Sequence, residues 1–165
     1  MSQRIILFLA SAGYSGYFRY APGTAGTLVG TAVYLLFSVF PPLLYLLSTA
    51  TVFFLALWAS GRAEVIWQER DSPKIVIDEV AGYLIAMALL PRTLTTVVGG
   101  FLFFRAFDII KPYPIGKIDC NLEGGLAVVL DDAVAGACAN ILWQAIRHWH
   151  PPFLFLLDHW ICGAG

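Results

Sequence analysis

Five of the eleven acidic residues in this chain fall at three points: the adjacent pair Asp78 and Glu79, the single Asp108, and the pair Asp131 and Asp132. Each point lies at or near the end of an apolar run. A carboxylate beside lipid-grade sequence is costly, so such a residue is a functional candidate first. Clustered carboxylate oxygens are the ligands that Mg²⁺ and Ca²⁺ prefer. Adjacent carboxylates on a helix point about 100° apart, so Asp78 and Glu79 share an ion only if it sits at the helix end. Each cluster also has a plainer reading, as a helix cap or as compensation of the helix dipole.

Two further constellations carry chemistry that complements the acids. Arg105 and Asp108 are three residues apart, and so are Asp108 and Lys111, a spacing that places neighbours on one helical face. The spacing predicts a cation–anion–cation ridge on an otherwise apolar helix. The plain reading is an internal salt bridge; the functional one is a carboxylate for a metal beside cations for phosphate oxygens. The second constellation is Pro22-Gly23-Thr24-Ala25-Gly26-Thr27. At the head of a helix its free N–H groups and dipole suit an anion, with Gly23, Thr24 and Thr27 as candidate contacts. Ordinary capping by Thr24 and glycine-mediated helix packing is the alternative. The segment is not a P-loop, which ends in Gly-Lys-Ser/Thr.

The elements that must position these residues are marked by prolines. The pattern predicts helices over 24–40, from 43 into 64 or beyond, from 75 to before Pro91, over 93–111, and over 126–149, with Pro41-Pro42, Pro112, Pro114 and Pro151-Pro152 as breaks. Residues 68–74 and 113–125 read as polar connections. Residues 1–23 read as an N-terminal interfacial segment, and 151–165 as an apolar tail too short to span a membrane. Arg4, the apolar run 5–9 and Ala10-Ser11-Ala12 imitate a secretory signal, but that run is shorter than a signal needs.

Composition bounds the class. At 165 residues the chain reads as one domain, 59% hydrophobic and 13% charged, with no charged side chain between Arg19 and Arg62 and a mean hydropathy of +0.75. We therefore expect an all-α, multi-pass membrane protein, a single bundle of about four to five buried helices. A net charge of −1 without a basic patch argues against a nucleic-acid partner. The three cysteines have no metal-site spacing and read as packing residues, and the three histidines as interfacial ones. If the helix over 24–40 starts in the cytoplasm, alternation puts eight of the ten Lys and Arg residues inside, with only Arg92 and Arg147 outside. The same alternation brings every acidic cluster to the cytoplasmic face.

Taken in order, these segments resemble the phosphatidylglycerophosphatase A family. The matching pieces are Pro22-Gly23-Thr24-x-Gly26, Asp71-Ser72-Pro73, Ile75-Val76-Ile77-Asp78-Glu79-Val80-Ala81-Gly82, Arg105-x-x-Asp108-x-x-Lys111-Pro112-x-Pro114, Gly124-Gly125 and Asp131-Asp132, within a span from Ser15 to Ile146. The resemblance implies a Mg²⁺-dependent phosphoric monoester hydrolase of the bacterial cytoplasmic membrane, converting phosphatidylglycerophosphate to phosphatidylglycerol. It implies Asp78, Glu79, Asp108, Asp131 and Asp132 as metal-binding and catalytic acids. Lys111 then acts in catalysis and, with Arg105, Gly23, Thr24 and Thr27, in holding the phosphate. The chain departs from the family pattern at Thr27 (usually Ser), Glu123 (commonly His) and Ala127 (often Gly), and no catalytic role is carried onto residue 123. Two rival readings are a transporter with intramembrane carboxylates and a soluble all-α domain binding a phosphorylated metabolite.

Overall fold

A computed structural model describes residues 2–113 and 124–149. Six α-helices order this part of the chain: α1 (Gln3–Ala10), α2 (Pro22–Phe37), α3 (Pro42–Trp67), α4 (Ile77–Ala86), α5 (Leu94–Ile110) and α6 (Gly125–Trp149). A short 3₁₀ turn, Ser15–Tyr17, joins α1 to α2. The expected all-α class holds, with no strand among the described residues. Glu123, the histidines at 150 and 159, and the tail 151–165 lie outside the described residues.

The breaks act as their chemistry requires. Proline suits a first helical position, where its missing N–H costs nothing, and both α2 and α3 begin on one. Thr93 caps α5, its hydroxyl accepting from the Thr96 N–H at 3.2 Å. Gln68 and Lys111 end α3 and α5 in the left-handed conformation, with φ of +53° and +46°.

The helix expected over 24–40 runs Pro22–Phe37, and the largest departure from the expected boundaries is at α4. The helix expected to run from 75 to just before Pro91 ends at Ala86. The residue before a proline avoids the α region, and side chains here take over the carbonyls a helix would use. The Tyr45 hydroxyl donates to Leu84 O at 2.6 Å. The Asn140 amide donates to Ala86 O and Ala88 O, each at 2.8 Å. The remaining turn places Leu89 at φ +59°.

The short α4 is the centre of the bundle. Eight of its ten residues are buried, enclosed by α2, α3 and α6 with α5 behind them. Its contact with α6 is backbone on backbone. A Cβ on Gly136 would collide with the Gly82 carbonyl, and one on Gly82 would stand 2.7 Å from the Asp132 carbonyl oxygen. Small residues are what let helices approach this closely. The approach sets the start of α4 beside the first turns of α6, and with it the acids of both helices. The N-terminal segment joins the bundle: α1 packs on α3, and the Val76 N–H donates to Ala10 O at 3.0 Å.

The surface is inverted relative to a soluble protein. Leu36, Leu43, Phe54, Leu102 and Ile141 are each at least 60% exposed, while Asp78, Asp131, Asp132, Thr27 and Ser60 are buried. An exterior this apolar, with the buried polar groups gathered inside, fits lipid as the solvent. Among the described residues two helices, α3 and α6, are long and apolar enough to cross a membrane.

Candidate active site

The starts of α2, α4 and α6 and the end of α5 meet at one cleft of about 290 Å³. Asp78, Glu79, Asp108, Asp131 and Asp132 all line it, together with Gly23, Arg105 and Lys111. The three acidic points of the sequence are therefore one cluster in space. One oxygen each from Asp78, Glu79 and Asp132 lie within 4.8 Å of one another, and so do oxygens from Asp108, Asp131 and Asp132. Asp132 belongs to both sets. Buried oxygens Asp78 Oδ1, Glu79 Oε2 and Asp132 Oδ2 have no hydrogen-bond partner among the described residues. Such atoms are expensive in a protein interior, and converging carboxylate oxygens are the donor set of a hard divalent cation. The residues present fit such an ion.

The cations are placed against the acids. Arg105 bonds Asp108 on the same helical face, as their spacing predicts. Lys111 does not continue the ridge. It caps α5 in the left-handed conformation and meets Asp131 of α6, Nζ to Oδ2 at 2.6 Å. The sequence spacing assumed a continuing helix, and the helix ends one residue too soon.

The head of α2 contributes a donor set of another kind. Its cap residue, Ala21, has no side chain to satisfy the first N–H groups. The first intrahelical bond is from Ala25 N–H to Ala21 O, which leaves the Gly23 and Thr24 N–H groups ahead of it. Gly23 is packed so closely that a Cβ there would stand 2.5 Å from Glu79 Oε1 and 3.0 Å from an Arg105 nitrogen. Thr27 does not join the site. It is fully buried, and its hydroxyl donates to Gly23 O at 2.9 Å, because one helical turn turns it into the bundle. The Thr24 side chain is likewise not among the cleft-lining groups.

Two cleft residues carry roles the charge pattern alone did not assign. Asp71 and Ser72 come from the connection before α4. Asp71 sits at φ +46°, and its N–H donates to Glu64 Oε1 at 2.9 Å. The buried Ser72 hydroxyl donates to Glu69 Oε2 at 2.7 Å. That bond, helped by nearby Lys74, holds the exposed Glu69 carboxyl below its ordinary range. Lys74 also lies over the Trp67 ring, 5.4 Å from its centre. The signal in sequence was the Asp71-Ser72-Pro73 triplet, where a turn-forming acid precedes a proline.

Among the described residues, six carboxylates thus face two cations across the cleft. The excess of negative charge calls for a bound cation, and Arg105 with the α2 N-terminus offers a separate anchor for an anion. Adjacent sites for a divalent cation and an anion are what phosphoryl chemistry needs.

A family model described as phosphatidylglycerophosphatase A matches residues 8–147. A phosphatidylglycerophosphatase A of Haemophilus influenzae is 34% identical over 146 residues, covering 87% of this chain and 90% of that protein. The Escherichia coli phosphatidylglycerophosphatase A is 33% identical over 144 residues, covering 86% and 84%. A Bacteroides thetaiotaomicron protein, named provisionally as a phosphatidylinositol-3-phosphatase, is 35% identical over 143 residues, covering 82% and 88%. No solved structure matches the chain.

Proposed function

The chain belongs to the phosphatidylglycerophosphatase A family, and from that premise we propose that it hydrolyses the terminal phosphomonoester of phosphatidylglycerophosphate, with Mg²⁺ as cofactor. The observation that carries this reading is the meeting of both acidic triads, Arg105 and the α2 N-terminus in one cleft. Asp132, shared by both triads, would hold the ion with Asp78 and Glu79 on one side and Asp108 and Asp131 on the other. When bound, Mg²⁺ supplies Lewis acidity toward a phosphoryl oxygen and offsets the carboxylate charge.

The chain's own groups do the rest. The Gly23 and Thr24 N–H groups and the Arg105 guanidinium bind the non-ester phosphate oxygens, and their attraction grows as charge moves onto those oxygens. Asp108 fixes the Arg105 guanidinium, and Lys111 holds Asp131 in place while screening its charge from the phosphate. In the hydrolysis one water oxygen bonds to phosphorus, the phosphorus–ester bond breaks, and the leaving glyceryl oxygen gains a proton.

The substrate's acyl chains lie along the apolar exterior, in a multi-pass arrangement in the bacterial cytoplasmic membrane with the cleft on the cytoplasmic side. The charge asymmetry supports that orientation, since Arg105 and Lys111 stand at the cleft and Arg92 beyond the far end of α4. Acids gathered at one end of the bundle favour this reading over a transport path, which wants them along its length.

The test is phosphate release from phosphatidylglycerophosphate, phosphatidylinositol 3-phosphate and glycerol 3-phosphate in mixed micelles. The proposal expects the first to be preferred by at least tenfold in kcat/KM. Preference for the phosphoinositide would move the substrate assignment to the class in the Bacteroides relative's name. Equal hydrolysis of the soluble ester would contradict a lipid phosphatase.

A further inference from the structure

A second built site stands beyond the other end of α2 from the acidic cleft. A cavity of about 110 Å³ opens between the α2–α3 turn and the α4–α5 connection, lined by Tyr34, Ser38, Tyr45, Leu89 and Arg92 among others. The volume holds several waters or one compact polar group. α2 is 16 residues long, so the two sites are roughly 24 Å apart along it. Among the described residues, no acidic side chain lines the cavity.

One of its polar groups is a donor without an acceptor, while the Ser38 hydroxyl donates to Leu35 O at 2.8 Å. Tyr34 is 2% exposed, and its hydroxyl has no hydrogen-bond partner among the described residues. The neighbouring Tyr45 hydroxyl is already committed to Leu84 O. Tyr34 meets the rings of Tyr45 and Tyr83 edge to face, at 6.2 and 6.3 Å between centres, so its orientation is fixed by packing. One Arg92 nitrogen makes a long bond to Phe40 O, at 3.5 Å.

Several carbonyls near these donors are already used. Tyr34 O accepts from Ser38 N–H, Phe37 O from Phe40 N–H, and Met87 O from Leu90 N–H. Ala86 O and Ala88 O accept from Asn140. α3 also starts at the cavity, on Pro42, with no side-chain cap on its first N–H groups. A positive helix end, a guanidinium and an orphaned hydroxyl make an anion site. Exposed Val39, Leu43 and Leu89 around it are apolar.

We propose that this cavity binds a phosphate group, held by Arg92 and the Tyr34 hydroxyl, at a site separate from the acidic cleft. The phosphate comes from a phospholipid headgroup or from free phosphate, and the apolar rim fits the first source. The test is hydrogen-exchange mass spectrometry on the full chain in maltoside micelles and phosphate-free buffer. The probes are inorganic phosphate, dihexanoyl phosphatidylglycerol and dihexanoylglycerol.

Peptides covering 38–45 and 87–93 should exchange more slowly with the phosphate-bearing lipid. They should also slow with inorganic phosphate if the anion alone suffices; slowing by the lipid alone assigns the site to headgroups. Arg92→Gln should abolish the slowing there while leaving phosphatidylglycerophosphate hydrolysis unchanged. Tyr34→Phe, which removes an unbonded hydroxyl and keeps the packing, should weaken binding roughly tenfold without lowering Tm. No slowing with either phosphate probe, equal slowing with dihexanoylglycerol, or slowing retained in Arg92→Gln would overturn the proposal.

Discussion

Gly23→Ala separates stability from catalysis. In an exposed helical turn alanine is favoured over glycine, by about 0.5–1 kcal/mol. At position 23 the new methyl would stand 2.5 Å from Glu79 Oε1, and 3.0 and 3.1 Å from the two terminal nitrogens of Arg105, where ordinary contact begins at 3.4 Å. The colliding atoms are the ends of flexible side chains, so the fold yields cheaply. What moves is the site: Glu79 must retreat by about 1 Å, a displacement that costs on the order of a hundredfold in rate. That loss corresponds to about 2.7 kcal/mol of transition-state stabilisation. The assay is phosphate release from phosphatidylglycerophosphate beside a thermal melt in the same micelles. We expect kcat/KM to fall about a hundredfold with Tm unchanged or raised. Gly61→Ala is the matched control, since a methyl there meets nothing within 4 Å. Activity of Gly23→Ala within threefold of wild type would refute the placement of α2, Glu79 and Arg105 around one substrate.

Further outcomes follow from the same geometry. Arg105→Ala should lose far more phosphatase activity than Arg92→Ala, and equal losses would remove Arg105 from the phosphate anchor. Gly136→Val should prevent folding or lower Tm steeply, because its side chain would enter the Gly82 carbonyl; an unchanged melt would contradict the α4–α6 contact. The Glu69 carboxyl is held below its reference value of 4.5 by the Ser72 hydroxyl and Lys74. A lowered folded pKa contributes stability above the unfolded value, and that contribution fades as pH falls through the folded one. Exchange protection in 68–74, corrected for the intrinsic pH dependence of amide exchange, should therefore fall below about pH 4.5, and Ser72→Ala should weaken that pH dependence.

Much of the site is legible in the sequence because its residues are anomalies of cost. Carboxylates at the ends of apolar runs announce themselves, and prolines at 22 and 42 mark where helices start. Asp108 and Arg105 pair as their spacing dictates, since both lie inside one helix. Lys111 escapes the same rule because a left-handed residue ends the helix beneath it, and the partner it finds is on another element. Thr27 reads as a phosphate donor in a glycine-threonine string, yet it is turned into the bundle and bonded to its own helix. The early end of α4 rests on Tyr45 and Asn140, more than thirty residues away in each direction. Asp71 enters the cleft through a left-handed turn that the Asp71-Ser72-Pro73 triplet signals, and the bond to Glu64 that pins it is not written in that triplet.

The central claim is that the acids of α4, α5 and α6 form one cation site on which hydrolysis depends. Phosphatidylglycerophosphate hydrolysis by the wild type and Asp132→Asn, after chelation and on return of Mg²⁺, tests it most directly. The account predicts that chelation abolishes wild-type activity, that Mg²⁺ restores it, and that Asp132→Asn, which weakens both triads at once, stays inactive at the restoring concentration. Full activity in the chelator, or Asp132→Asn restored like the wild type, would contradict it.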